Sequence, residues 1–133
     1  MKRLSIFLVA LIASAPSSAW PQGLVPTLES EFEVCQSRPL QPQWIDDLPS
    51  REAFKGAVIQ MIYRAESYQR VVEAGECSCE TLYPTWDNAV QRFNDTYLNA
   101  DRNTLREARN EFRDQANEVR DAAKAICEEA GNW

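Results

Sequence analysis

Two of the chain's four cysteines sit one residue apart in Gly75-Glu76-Cys77-Ser78-Cys79-Glu80, and the other two, Cys35 and Cys127, stand far off on either side. No other feature constrains the fold as much. Four cysteines allow three pairings. Joining Cys77 to Cys79 would close a ring across a single residue, a strained geometry that disulfides avoid. In both remaining pairings the C-x-C segment holds Cys35 with one sulfur and Cys127 with the other, and spacing does not choose between them. Each bridge closes a loop of roughly 40–50 residues and contributes about 3–4 kcal/mol in the chain-entropy picture.

Disulfides require an oxidising compartment, and the N-terminus reads as the means of reaching one. Lys2 and Arg3 precede an apolar stretch from Leu4 to Ala13, and Ser17-Ser18-Ala19 supplies small residues for cleavage after Ala19. The apolar stretch is about half of the ~20 residues a membrane span needs, so the expectation is a cleaved signal peptide and no stable membrane insertion afterwards. Loss of Lys2 and Arg3 with the leader takes the formal net charge from −6 to −8. An acidic surface disfavours nucleic acid and anionic membranes, both of which call for basic residues.

The chain contains no histidine. That removes Ser-His-Asp and Cys-His catalysis and every imidazole zinc site. A four-cysteine metal site would use a tighter spacing than the usual C-x-x-C knuckle. Thiol exchange favours C-x-x-C at a helix N-terminus, whereas Glu76 and Glu80 flank this pair and oppose a thiolate. No metal, cofactor or catalytic residue is therefore assigned, and the cysteines are read as structural.

Periodicity supplies the rest of the fold. Ser50 to Ala74 reads as a helix, with Pro49 before it, Ser50 as N-cap and Gly75 as its stop. Ala53, Phe54, Ala57, Val58, Met61, Ile62, Ala65, Tyr68 and Val72 form its apolar stripe. A second helix starts after Thr85 and runs to about Leu98, with Trp86, Ala89, Val90, Phe93 and Tyr97 inward. A third follows a capping box at Thr104-Leu105-Arg106-Glu107 and runs to about Ala130, before Gly131. Its stripe is Leu105, Ala108, Phe112, Ala116, Val119, Ala123, Ile126 and Ala130. Short connections make neighbours antiparallel, so the third helix returns Cys127 to the end where the first helix stops. Cys35 then pins an N-terminal arm to the same end, with Leu40, Trp44, Ile45 and Leu48 expected to pack on the bundle.

The expected architecture is an all-α, disulfide-stapled three-helix bundle: a helical hairpin plus a long C-terminal helix. Residues 1–19 are the signal peptide, 20–49 an irregular N-terminal arm and 50–133 the helical domain. The run Glu29-Ser-Glu-Phe-Glu33 is expected to dock loosely at most. The charged face of the third helix, mixed in sign, reads as a solvated surface.

Three aromatic residues lie where a partner could reach them. Tyr83 and Trp86 follow the C-x-C loop, and Trp133 ends the chain. Exposed aromatics anchor protein interfaces, although the stronger expectation for Trp86 is a cap on the core beside the disulfides, and Trp133 could equally fold back. Glu66-Ser67 resembles the Glu-Ser start of the lytic transglycosylase motif, whose glutamic acid is a general acid/base. Tyr68 stands where that motif has glycine, and no Gly-Leu-Met-Gln follows.

The block RAESYQRVVEAGECSCETLYPTWDNAVQRF, together with the closing AICEEAGNW, resembles a family of small exported proteins found with bacterial conjugative transfer and type IV secretion genes. Cys77-Ser78-Cys79, Pro84-Thr85-Trp86-Asp87 and Ile126-Cys127 carry the likeness, which spans Arg64 to Phe93 and Ala125 to Trp133. It implies a periplasmic location and an accessory role in a transfer apparatus, and supplies no catalytic residue. The expected function is thus a non-enzymatic periplasmic interaction protein with a protein partner. A general periplasmic helical binding or stress module is the first alternative, and a glycan-acting enzyme using Glu66 the second.

Overall fold

The computed structural model describes Cys35 and residues 38–133. The expected leader, its cleavage site and the Glu29–Glu33 run lie outside the described residues. Within them the regular structure is helical: α1 (Gln43–Asp46), a 3-10 turn (Ser50–Glu52), α2 (Ala53–Ala74), α3 (Cys79–Leu82), α4 (Asp87–Tyr97) and α5 (Arg102–Glu129). The fold is an all-α bundle built on α2, α4 and α5. No described helix is long and apolar enough to cross a membrane.

Helix α2 is the spine. Val58, Ile59, Ile62, Ala65 and Val71 are buried along it, and it packs against α3, α4 and α5. Because partners cover several of its sides, burial spreads beyond one stripe to Gly56, Ile59, Ser67 and Val71. Ala53, at the exposed start of the helix, is solvated instead. At one end of the bundle the Arg102 guanidinium lies 4.5 Å from the Phe54 ring. At the other, Val71 joins Ala123 and Cys127 in a second apolar cluster. Helices α2 and α5 therefore run in the same direction, with α4 returning between them. At ~1.5 Å per residue the 28 residues of α5 span about 42 Å, which carries Cys127 back to the C-x-C segment. The main core joins Val58, Ile59 and Ile62 to Ala89 and Phe93 of α4 and to Leu105, Ala108, Phe112 and Ala116 of α5.

The helix stops follow the glycines and the starts do not follow the expected caps. Gly75 is left-handed (φ 66°), and its N–H donates to the Val71 carbonyl. Gly131 (φ 75°) closes α5: its N–H donates to Glu128, and that of Asn132 to Cys127. A left-handed residue with these two bonds is a Schellman ending. Ser50 is not an N-cap, because a 3-10 turn precedes α2 and its side chain makes no capping bond. Helix α4 begins after Trp86 rather than Thr85. Helix α5 begins at Asp101, whose carboxylate accepts from the N–H groups of Asn103 (2.8 Å) and Thr104 (3.0 Å). Thr104 is thus inside the first turn, because a carboxylate three residues earlier reaches both free donors.

The arm before α2 packs less than expected. Ile45 is 5% exposed and Leu48 half-buried, but Leu40 is 84% and Trp44 46% exposed. One helical turn, α1, turns Ile45 towards Gly56 and leaves Trp44 facing out. A Cβ at Gly56 would come within 3.1 Å of Ile45 Cγ2, so the glycine lets the arm lie close on α2.

Both disulfides join at the C-x-C segment. Cys35 pairs with Cys79 and Cys77 with Cys127, at sequence separations of 44 and 50. No free cysteine remains. Ser78 sits between the two bridges and caps α3, accepting from the Thr81 N–H at 3.2 Å. Cys77 lies outside that cap and Cys79 is the first helical residue, so the two sulfurs leave in different directions. Two structural disulfides belong to an oxidising extracellular or periplasmic compartment.

Candidate functional site

The staples hold an open groove of about 520 Å³ along one side of α2. Its aromatic residues come from three parts of the chain. Tyr63 and Tyr68 lie one turn apart and a little more on α2, Tyr83 and Trp86 lie on the link between α3 and α4, and Trp133 comes from the C-terminal tail. All three expected surface aromatics, Tyr83, Trp86 and Trp133, therefore line one concavity.

Each ring is held. Tyr63 and Trp86 stack face to face, with centroids 3.9 Å apart and planes 6° apart. The Tyr63 hydroxyl donates to the Pro84 carbonyl at 2.9 Å, and the Trp86 indole N–H to the Pro39 carbonyl at 3.4 Å. The arm thus touches the groove edge at Pro39, where Gln41 also accepts a hydrogen bond from Gln60. Burial pushes the Tyr63 phenol above its ordinary value of 10.0, and the neighbouring Tyr83 adds to the rise.

Trp133 folds back onto the bundle. Its ring lies 5.5 Å from that of Tyr68, and the Arg120 guanidinium sits 5.7 Å from its centroid. The Schellman turn at Gly131 aims the tail there. Asn132 then ties it to the C-x-C segment, its amide donating to the Cys77 carbonyl. The other amide atom, Asn132 Oδ1, is buried with no hydrogen-bond partner. A buried acceptor left unpaired carries a local cost, and this one lies in the groove wall.

Beyond Tyr83 lies a second hollow of about 480 Å³, lined by Arg38, Arg70, Glu80, Pro84 and Asn88 among others. Tyr83 is the wall the two spaces share. The Arg38 guanidinium lies 5.9 Å from the Tyr83 ring centroid. The first groove has a single charged lining residue, Arg64.

Glu66 is placed elsewhere. Its side chain is 23% exposed and pairs with Arg92 of α4 at 3.4 Å, and it does not line the groove. Among the described residues no group of three or more potential metal ligands gathers, and all four cysteine sulfurs are in disulfides.

Sequence reasoning found Tyr83, Trp86 and Trp133 but did not bring Tyr63 into the site. It placed Tyr68 on the core stripe, where it does pack, with an edge left to the groove. The spacing of Tyr63 gave no signal, because five residues from Tyr68 place it about 140° round the helix, off the apolar stripe. No protein-family model, curated protein or solved structure matches this chain.

Proposed function

We propose that this chain is an exported, non-enzymatic interaction protein that receives a segment of a protein partner in the aromatic groove. The observation that carries the reading is the convergence of five aromatic residues, from three chain segments, on one open groove. Rigid aromatics supply large contact area with few rotamers to freeze, which is why tyrosine and tryptophan dominate interface hot spots. Two disulfides and a Schellman turn supply that rigidity before any partner arrives, which lowers the ordering cost of association.

The leader-like N-terminus and the disulfides support a periplasmic location after cleavage at Ala19. The likeness of Arg64–Phe93 and Ala125–Trp133 to exported proteins of conjugative transfer supports a partner within such an apparatus. A photo-crosslinking amino acid at Gln60, exposed at the groove rim, tests the interaction in the native host. The reading expects one predominant crosslinked protein, lost in Trp133→Ala and absent when the crosslinker is moved to Gln115 on α5. Crosslinking that is equal from both positions contradicts it. Normal conjugative transfer in a deletion strain contradicts the transfer assignment while leaving the interaction itself standing.

A further inference from the structure

The two hollows on either side of Tyr83 differ in chemistry. One is aromatic, with Tyr68 on its wall and Arg64 as its only charged lining residue. The other presents Arg38 and Arg70, with Glu80 as the single acid. Among the described residues no carboxylate lies within salt-bridge distance of Arg38, Arg64 or Arg70, which is also true of Arg102, Arg106 and Arg109 on α5. What sets the second hollow apart is its lining, two arginines to one acid, on a chain whose net charge is −6. Charge of one sign, collected where the whole molecule carries the other, steers and selects an oppositely charged partner.

We infer that the occupant is an extended polypeptide segment of two unlike halves: an apolar, proline-containing half that lies in the aromatic groove, and an acidic half that crosses Tyr83 to meet Arg38 and Arg70. The inference rests on the groove being the binding site. Aromatic-lined grooves suit proline-rich extended segments, because such segments are already ordered and present flat apolar faces to the rings. Arginine suits carboxylates because its planar fork meets both oxygens.

Three acetylated and amidated octapeptides test this. They share one half of prolines and leucines and carry a second half of glutamates, glutamines or lysines. Each is titrated calorimetrically into the disulfide-bonded exported chain at low salt. The glutamate peptide should bind roughly fivefold or more tightly than the glutamine peptide, as expected for partly exposed ion pairs acting together. That advantage should vanish in the Arg38→Glu/Arg70→Glu double variant, whose exposed positions leave the fold intact, while the glutamine peptide binds as before. Equal binding of the glutamate and glutamine peptides overturns the acidic preference and leaves the interaction reading in place. Failure of all three peptides to bind overturns the two-part occupant, and the Gln60 crosslink then decides the interaction reading by itself. A Gln60 crosslink to residues 20–34 of the same chain overturns the assignment of the groove to a partner.

Discussion

Replacing both Cys77 and Cys127 with alanine removes the staple nearest the groove. The bridge closes 50 residues, and the chain-entropy relation gives about 4 kcal/mol for a loop of that length. Both sulfurs are buried, Cys127 completely, in the cluster with Val71, Leu82 and Ala123. Losing their packing adds ~1–2 kcal/mol. The expected loss of about 5 kcal/mol is a large share of the ~5–15 kcal/mol that holds a domain of this size. Urea unfolding followed by circular dichroism should place the variant's midpoint roughly 3 M below the parent's, for an m-value near 1.5 kcal/mol/M. The Cys35→Ala/Cys79→Ala variant, with a 44-residue loop, should lose about the same from loop entropy. The two should differ at the tail. Asn132 bonds to Cys77, and Trp133 follows it, so Trp133 fluorescence should move towards that of free indole only when the Cys77–Cys127 bridge is lost. A loss below about 1 kcal/mol, or an identical response of Trp133 to either removal, would refute the reasoning.

Three further perturbations probe separate parts of the account. Burial raises the Tyr63 phenol above its ordinary value of 10.0, so stability should be intact below about pH 10 and decline as pH rises through its raised value; the absorbance change at 295 nm above about pH 10 should shrink in Tyr63→Phe. That variant also leaves the Pro84 carbonyl without its donor and should cost about 1–2 kcal/mol in denaturant unfolding. The Asp101 carboxylate is lowered by the N–H groups of Thr104 and Asn103; the melting-temperature gap between parent and Asp101→Ala should be present above its ordinary value of 3.8 and close as pH falls through its lowered value. Gly56→Leu should drive Ile45 off α2 at a cost of about 1–3 kcal/mol, read by the same unfolding curves and by faster amide exchange in α1.

The large features were legible because simple periodicities dictate them. The stripe on α5 placed Leu105, Ala108, Phe112, Ala116 and Ala123 inside, and helix parity brought Cys127 back to the C-x-C segment. Glycine stops were legible because only the left-handed conformation was at issue. Helix starts were not, because several polar residues compete for the same free N–H groups: Thr104 read as the cap, and the geometry gives those groups to the Asp101 carboxylate three residues earlier. The partner of Cys35 was illegible for a related reason. Which sulfur leaves in which direction depends on where α3 begins, and α3 is a single turn capped by Ser78. The arm was over-read, since Leu40 and Trp44 are apolar yet exposed, and one helical turn has room for only one inward residue, Ile45. Tyr83, Trp86 and Trp133 were legible as aromatics near the staples; that they share a groove with Tyr63 and Tyr68 depends on the tail turning back at Gly131.

The central claim is that this groove binds a polypeptide segment. Its most direct test is the two-dimensional amide and indole NMR spectrum of the disulfide-bonded chain during titration with the glutamate octapeptide. Resonances of Tyr68, Tyr83 and Asn132 and the indole N–H of Trp133 should shift together, while the indole of Trp44, on α1 outside the groove, stays in place. A spectrum that does not change, or one in which Trp44 moves and Trp133 does not, contradicts the account.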